Sequence, residues 1–466
     1  MFSTYDSSQS DTLAIAPVDD ITAPVSGPLP LLPLSTSRPI AGALPIHHGI
    51  AGEVLTEEGT PPSASGVIGG QDPRMQAPQS SLLISAHDDL TGVSSTETLL
   101  NPTVSLDMAS STNDSPPVSA STSIQNTQPY SAISGYGLVN ANTAVAWAMG
   151  DTALPQQANL GGVNIGNDMV NAPDAWAQGI TGQDITVAVI DSGVDIFHPD
   201  LNDNIWVNSG EIFGDGIDND ANGYVDDIVG WNFGGDNYNI LDYNGHGTHV
   251  AGTIAAEANG FGTTGVAPGA QIMPIKIGDV GFDNRFVNPG NLAQAIRYAV
   301  DNGADVINMS LSWTPSYELL DAFAYAASNN VITVTAAGNE GMARPSFPAA
   351  FSSLYGLTVG AVDYGANMAS FSNWSGQDQR MNYVAAPGVS VYSTQPTNFD
   401  WDGYGLNNGT SMAAPHVAGV VALMLSANPD LTHDQVRSIA TQSATYLGDY
   451  HSLTTPIDPF LQPIIT

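Results

Sequence analysis

The chain reads as an α/β protein whose mostly parallel central sheet is covered by helices on both faces. Five short runs dense in β-branched residues carry the first argument: "DITVAVID" (184–191), "AQIMPIKI" (270–277), "ADVINMSL" (304–311), "VITVTAAG" (331–338) and "GLTVGAVD" (356–363). They lack polar alternation, as strands buried on both faces should. Helical stretches lie between them: "THVAGTIAAEA", "NLAQAIRYAVDNG" and "YELLDAFAYAASNN". Strands alternating with helices predict a three-layer arrangement around a parallel sheet. In such sheets function gathers at the carboxyl ends of the strands, and Asp191, Ser310 and Asn339 fall there.

Before this regular region the texture differs. Residues 1–135 are rich in Ser, Thr, Pro, Ala and Asp without a sustained period. Such composition buries too little apolar surface to offset ordering entropy, so the segment is expected to be disordered, with a folded pro-domain as the competing reading. Residues 136–160 open with "YGLVNANTAVAWAMG", a short apolar helix candidate, and serve as a connecting helix or linker. Residues 161–447 form the α/β domain, and 448–466 a C-terminal tail.

Composition narrows the partners. With 45 acidic and 8 basic residues among 466, the net charge is −37, and Lys276 is the only lysine. That balance argues against nucleic acid or an anionic membrane. It suits calcium binding or solubility in a salty extracellular setting. Cys is absent, so disulfides and thiolate metal sites are excluded. No apolar run approaches the ~20 residues of a bilayer span, and no transmembrane segment is expected. The N-terminus lacks the shape of a signal peptide, its first basic residue being Arg38. The expectation is an extracellular or cell-surface monomer, exported by a route without a recognisable leader.

Three polar residues stand at element ends. Asp191 closes the first strand in "VIDSGVD"; alone it suits a turn or cap equally well. His246 opens a helix in "DYNGHGTHVAGT", where a lone histidine is more often structural. Ser411 opens an apolar helix in "NGTSMAAPHVAG", a place that also suits an N-cap. A serine hydroxyl is a weak nucleophile until a base takes its proton, and neutral imidazole suits that task near pH 7. A buried carboxylate can then fix the ring tautomer. Asn339 in "TAAGNEG" adds an amide that could donate to an oxyanion beside the Ser411 N–H.

The motifs "AVIDSGVD", "NGHGTHVAGT" and "NGTSMAAPHVAG", in the order Asp, His, Ser, resemble the subtilisin family of serine proteases. The likeness covers roughly residues 161–447. It implies a subtilisin-like three-layer fold, with Ser411 as nucleophile, His246 as general base and acid, Asp191 as orienting carboxylate and Asn339 as oxyanion donor. It also implies that Ser310, Leu311 and Ser312 of "NMSLS" line the first substrate pocket and pair with substrate backbone. The family more often has glycine where Ser312 stands. Ala336, Ala337 and Gly338 would form the opposite wall, with Glu340 near the pocket. An extended polypeptide would bind by strand addition, giving broad tolerance. His249 and His416, inside the helices of two motifs, read as packed neighbours of the catalytic groups.

The run "GDGIDNDANGYVDDIVGWNF" (214–233) sets Asp215, Asp218, Asp220, Asn222, Asp226 and Asp227 within thirteen residues, around Tyr224. Alternating hard oxygen donors near a glycine turn suit Ca²⁺. Asp218-x-Asp220-x-Asn222-Gly223 opens like an EF-hand loop, yet position 12 is Val229 rather than glutamate. A solvated acidic turn is the plain alternative. The family resemblance implies a second calcium site, with Asp200, a side-chain oxygen of Asn259, and the carbonyls of Glu257, Phe261 and Thr263. The family's N-terminal amide ligand has no match here. Structural Ca²⁺ is therefore the expected cofactor.

One element is out of place. "GYGLVNANTAV" (135–145) resembles the Gly-x-Gly segment that ordinarily follows the serine helix in this family, and no copy follows "RSIATQSAT". Residues 136–160 would then dock on the domain and supply it, unless they are a plain linker helix. Two other function classes stay open at this level: a catalytically silent scaffold of the same fold, and an interaction protein acting through residues 1–135.

Overall fold

The computed structural model describes residues 128–280, 286–287, 290–398 and 402–448, with backbone only for 279, 280, 286 and 287. Most of the expected low-complexity segment and nearly all of the C-terminal tail lie outside the described residues.

In chain order the helices are α1 (Ala141–Ala148), α2 (Ile165–Met169), α3 (Ala172–Trp176), α4 (His246–Ala255), α5 (Leu292–Asp301), α6 (Tyr317–Ser328), α7 (Thr410–Ala427) and α8 (His433–Gln442). The strands are β1 (Thr186–Asp191), β2 (Trp231–Asn232), β3 (Gln271–Lys276), β4 (Asp279–Val280), β5 (Phe286–Val287), β6 (Val306–Met309), β7 (Ile332–Ala336), β8 (Leu357–Val362), β9 (Tyr383–Pro387), β10 (Val391–Thr394) and β11 (Tyr404–Asn407). Seven of them form one sheet in the order β2-β3-β1-β6-β7-β8-β9. Every pairing within it is parallel. β4 pairs with β5, and β10 with β11, as antiparallel hairpins outside that sheet.

Period-two alternation explains the layers. Along β1, Val187 and Val189 join one core with α1, α4 and α7, while Ala188 and Ile190 join a second core with α5 and α6. Successive strand residues point to opposite faces, so a run that is apolar throughout must be covered twice. The expected runs match β1, β3, β6, β7 and β8 to within two residues at either end. Polar caps fix the helix starts: Asn291 before α5, Ser316 before α6 and a Thr432–Gln435 capping box before α8.

α7 is apolar around its whole circumference because protein surrounds it. It has the length and hydropathy of a membrane span, but 89% of it is buried inside the domain. It is the central helix of the larger core.

Residues 128–135, expected to be disordered, pack on this body, so the expected boundary at 135 falls too late. Ser131 and Ser134 are buried, and Ser375 Oγ donates to the Ser131 carbonyl at 2.7 Å. Residues 136–139 then lie along the β9 edge. Tyr136 N–H donates to the Tyr383 carbonyl, Val139 N–H to the Ala385 carbonyl, and Ala385 N–H to the Gly137 carbonyl. On the other side Leu138 and Thr445 exchange two backbone hydrogen bonds of 2.9 and 2.7 Å. Only glycine fits at 137: its φ is +109°, and a Cβ would sit 2.1 Å from the Thr445 carbonyl oxygen. α1 follows, capped by Asn140, and its buried face joins α7 in the larger core.

Candidate active site

Asp191 is the last residue of β1, Ser310 follows β6 and Asn339 follows β7 by three residues; these strands are adjacent in the sheet. Their carboxyl ends therefore open onto one region, and α4 and α7 aim their first turns at it. His246 is the first residue of α4 and Ser411 the second of α7.

His246 Nδ1 lies 2.7 Å from Asp191 Oδ1, with the histidine 9% and the aspartate 1% exposed. The backbone N–H of Ser192 donates to the same carboxylate oxygen at 2.7 Å. Burial works to lower the pKa of His246, but the Asp191 charge and hydrogen bond outweigh it, and the net shift is upward. A carboxylate on Nδ1 fixes that nitrogen as the proton donor and leaves Nε2 as the basic one. Nε2 is buried and has no hydrogen-bond partner. Ser411 Oγ donates instead to the Ser310 carbonyl at 3.3 Å.

The start of α7 has a local reason for its shape. Pro415 lies inside the helix and has no N–H to give the Ser411 carbonyl four residues back. Ser310 Oγ donates to that carbonyl at 2.7 Å, and Asn308 Nδ2 donates to Ser310 Oγ at 3.0 Å. The proline thus frees an acceptor, and the strand-end serine fills it. Ser310 is a fixing group for the Ser411 backbone.

Asn339 is held by Thr410, a residue not singled out in the sequence although it lies within a quoted motif. Thr410 N–H and Oγ1 both donate to Asn339 Oδ1, at 2.8 and 3.0 Å. The amide nitrogen is turned the other way as a result. A Cβ built on Gly409 would lie 3.6 Å from both Asn339 Nδ2 and the Ser411 backbone nitrogen. Both donors therefore border one point.

The expected pocket residues divide. Ser312 is exposed, while the Leu311 side chain is 3% exposed and belongs to the second core. The Leu311 side chain packs inward, against the second core. Ala337 is fully buried, with its N–H on the Val359 carbonyl. Gly338, at φ +105°, gives its N–H to Thr410 Oγ1 at 3.1 Å; a Cβ there would meet Asn373 Nδ2 at 2.4 Å. Glu340 is exposed and tethered, its carboxylate accepting from Asn373 Nδ2 at 2.7 Å and Ser346 Oγ at 3.2 Å. His249 and His416 are buried and neutral, burial pushing them down to about 3 and about 4.

Comparison with known proteins decides the family. A model described as the Subtilase family matches residues 182–455. The chain belongs to the subtilase family. It is a serine-type endopeptidase of subtilisin-like fold. Subtilisin E of Bacillus subtilis is 39% identical over 290 residues, covering 62% of this chain and 67% of that protein. Subtilisin of Bacillus pumilus is 39% identical over 289 residues, 61% of this chain and 93% of the relative. Subtilisin BL of Lederbergia lenta is 39% identical over 285 residues, with coverages of 61% and 91%. Among solved structures, a cold adapted subtilisin-like serine proteinase matches at 30% identity and TM-score 0.43, covering 56% of this chain and 81% of its own.

The acidic loop of this subtilase is ordered by its own carboxylates. Asp215 accepts from Ile217 N–H, Asp218 from Asn222 and Gly223 N–H, and Asp226 from Gly214 and Gly216 N–H. Glu211, absent from the expected ligand set, is buried and offers an oxygen within 4.8 Å of those of Asp218 and Asp220. It lies just upstream of the acidic run, outside the spacing that an EF-hand pattern searches.

Two of the expected ligands turn their side chains inward. Asp227 is fully buried and accepts from Asn208, Asn222 and the Tyr298 hydroxyl, so it anchors the loop to α5. Tyr224 turns its ring into an edge-to-face cluster with Trp231, Phe233 and Tyr298. At the second expected site the structure brings three residues together: Asp200 accepts from Asn259 Nδ2 at 2.9 Å and Thr263 N–H at 3.0 Å. Tyr404 Oη joins them at 3.2 Å. Burial raises the pKa of Asp200 against those donors. Glu257 turns its carboxylate to Asp203 N–H, and Phe261 is exposed.

Proposed function

We propose that this subtilase hydrolyses polypeptides through Ser411, His246 and Asp191, with Asn339 Nδ2 and the Ser411 N–H as oxyanion donors. The observation that carries the reading is the buried His246 whose Nδ1 is held by Asp191 and whose Nε2 is left without a partner. A χ1 rotation of Ser411 would carry its hydroxyl from the Ser310 carbonyl to Nε2; catalytic hydrogen bonds are often loose before substrate binds. Nε2 then takes the hydroxyl proton as Oγ attacks the scissile carbonyl, and returns it to the leaving amine. The two N–H donors bordering Gly409 stabilise the oxyanion. Water repeats the sequence on the acyl-enzyme.

Broad specificity follows if the chain after Met309 offers mainly backbone to an extended substrate, as the inward Leu311 side chain implies. The enzyme acts as a monomer outside the cell or at its surface, where an acidic protein finds calcium.

Calcium enters as a stabiliser. The fit is best at Glu211, Asp218 and Asp220, an all-oxygen donor set whose charges repel unless a cation is shared. Asp200, Asn259 and Thr263 form a second, weaker candidate, because donors already face the Asp200 carboxylate. A bound Ca²⁺ would supply charge neutralisation to the loop and no step of the reaction.

The deciding experiment is labelling of the full chain in calcium by a fluorophosphonate probe, beside Ser411→Ala. Labelling confined to the parent chain is expected, with peptidase activity lost about 10⁶-fold in the variant, the figure known for subtilisin itself. Absence of labelling in folded protein would identify a silent scaffold instead.

A further inference from the structure

A helix start leaves four backbone N–H groups without intrahelical partners. At α4, which begins with His246, side chains fill all four. Gly245 N–H donates to Asp242 Oδ1 at 2.9 Å, and His246 N–H to Asn244 Oδ1 at 3.2 Å. Gly247 N–H donates to Ser192 Oγ at 3.0 Å, and Thr248 N–H to Asp242 Oδ2 at 2.9 Å. Asp242 takes more than its helical share. Thr248 Oγ1 donates to Oδ2 at 2.7 Å, and Ser192 Oγ and Asn244 N–H donate to Oδ1 at 3.0 and 2.9 Å. Five donors converge on a carboxylate that is only 3% exposed.

The partners decide what this carboxylate does. Ser192 is the residue after Asp191, and its N–H already holds Asp191 Oδ1. Its hydroxyl bridges Asp242 and the second residue of α4. The two catalytic elements, the end of β1 and the start of α4, are thereby joined through one carboxylate as well as through their own 2.7 Å contact.

We infer that Asp242 is the positioning residue for His246, a second buried carboxylate that locks the histidine's helix turn onto the strand end carrying Asp191. The inference rests on His246 being the general base. Asp242 touches neither substrate nor reacting atoms; it acts through the backbone of residues 244–248 and through its charge. That charge raises the pKa of His246, behind the larger effects of burial and Asp191. Other titratable groups facing this corner are Asp191 from β1, the neutral His249 on α4 and Lys276 of β3, whose ammonium donates to the Leu241 carbonyl beside Asp242.

The test is Asp242→Asn in the full chain, assayed with a chromogenic peptide beside the parent and Ser411→Ala. An asparagine keeps the shape but turns an N–H₂ toward donors and removes the charge. The expected result is kcat down about 10–100-fold, the range a small misplacement of a catalytic group produces, with KM within about twofold. The sign of the pH effect is fixed: loss of a nearby negative charge lowers the pKa of His246. The acid limb of the kcat/KM profile should therefore move to lower pH. Should Asp242→Asn not accumulate as folded protein, Ser192→Ala removes one bridge only, and a fall in kcat at unchanged KM is expected there. Parent-like kcat, or a loss of activity with the acid limb unmoved, overturns the inference. An inactive parent chain overturns the reading of His246 itself.

Discussion

At the corner around His246, polar groups are held by residues far away in the chain; in the acidic loop most are held by near neighbours, apart from Asp227, which reaches Tyr298 71 positions on. His246 and Asp191 are 55 positions apart, Asn339 and Thr410 71, and Ser310 and Ser411 101. In the loop, Asp215 reaches two residues on, Asp218 four, and Asp226 ten and twelve back. Asp191, His246 and Ser411 are also buried, whereas the loop is exposed over most of its length. The difference teaches where each region draws its rigidity. Long-range bonds exist only when the whole sheet has formed, so Asp191, His246, Asn339 and Ser411 are set by the fold. Local turns need fewer distant partners, and the five clustered carboxylates are where the proposed cation would act.

Three perturbations would break or sharpen that contrast. The largest effect belongs to Asn339→Ala, which removes one donor while Thr410 and the sheet remain. The expected loss in kcat is about 10²–10³-fold, about 2.7–4 kcal/mol, the range measured for such a donor in subtilisin. KM should hold steady in the same steady-state assay. Retained kcat would show that Asn339 does not meet the oxyanion.

Gly137→Ala comes next. A Cβ at φ +109° against the Thr445 carbonyl should cost about 2–4 kcal/mol from overpacking and backbone strain. Denaturant unfolding reads this directly. An unchanged midpoint would mean that residues 136–139 are a loosely attached strap.

Calcium removal is the mildest. Chelation should lower stability by about 2–3 kcal/mol if the ion is supplied near a hundredfold above its dissociation constant. Thermal unfolding with and without chelator measures it, and Glu211→Gln should erase most of the difference. A full calcium effect surviving in Glu211→Gln would move the ion to the site around Asp200.

Much of the architecture was legible because its signals are local and redundant. β1, β3, β6, β7 and β8 are continuous apolar runs, and α5 and α6 carry their own caps. β9 was missed because "YVAAP" is short and small-residued, and only its place at the sheet edge makes it a strand. Asp191, His246, Ser411 and Asn339 were singled out through motifs, and the structure sets Asp191 against His246 and Asn339 against Thr410. Their supports were not: Thr410, Ser192 and Asp242 are ordinary polar residues until folding points them at a shared acceptor or donor. The same holds for Leu311, whose inward turn depends on which face of the sheet the chain leaves after Met309. Composition overreached at residues 128–135, where serines that look like linker are buried against Ser375. It overreached again at Asp227, a core anchor counted among the acidic ligands.

The edge formed by residues 136–139 has a consequence for how the molecule is made. Asn140 and Thr445 touch although 305 positions separate them. A ribosome delivers the first of these 305 residues before the second, and the closing bonds between Leu138 and Thr445 wait for both. Closing so large a loop is slow compared with forming any neighbouring helix. The nucleophile's helix therefore gains its last covering layer, α1 against α7, only once the described domain is nearly fully translated. A nascent chain of this protease stays structurally unfinished until Thr445 has left the ribosome.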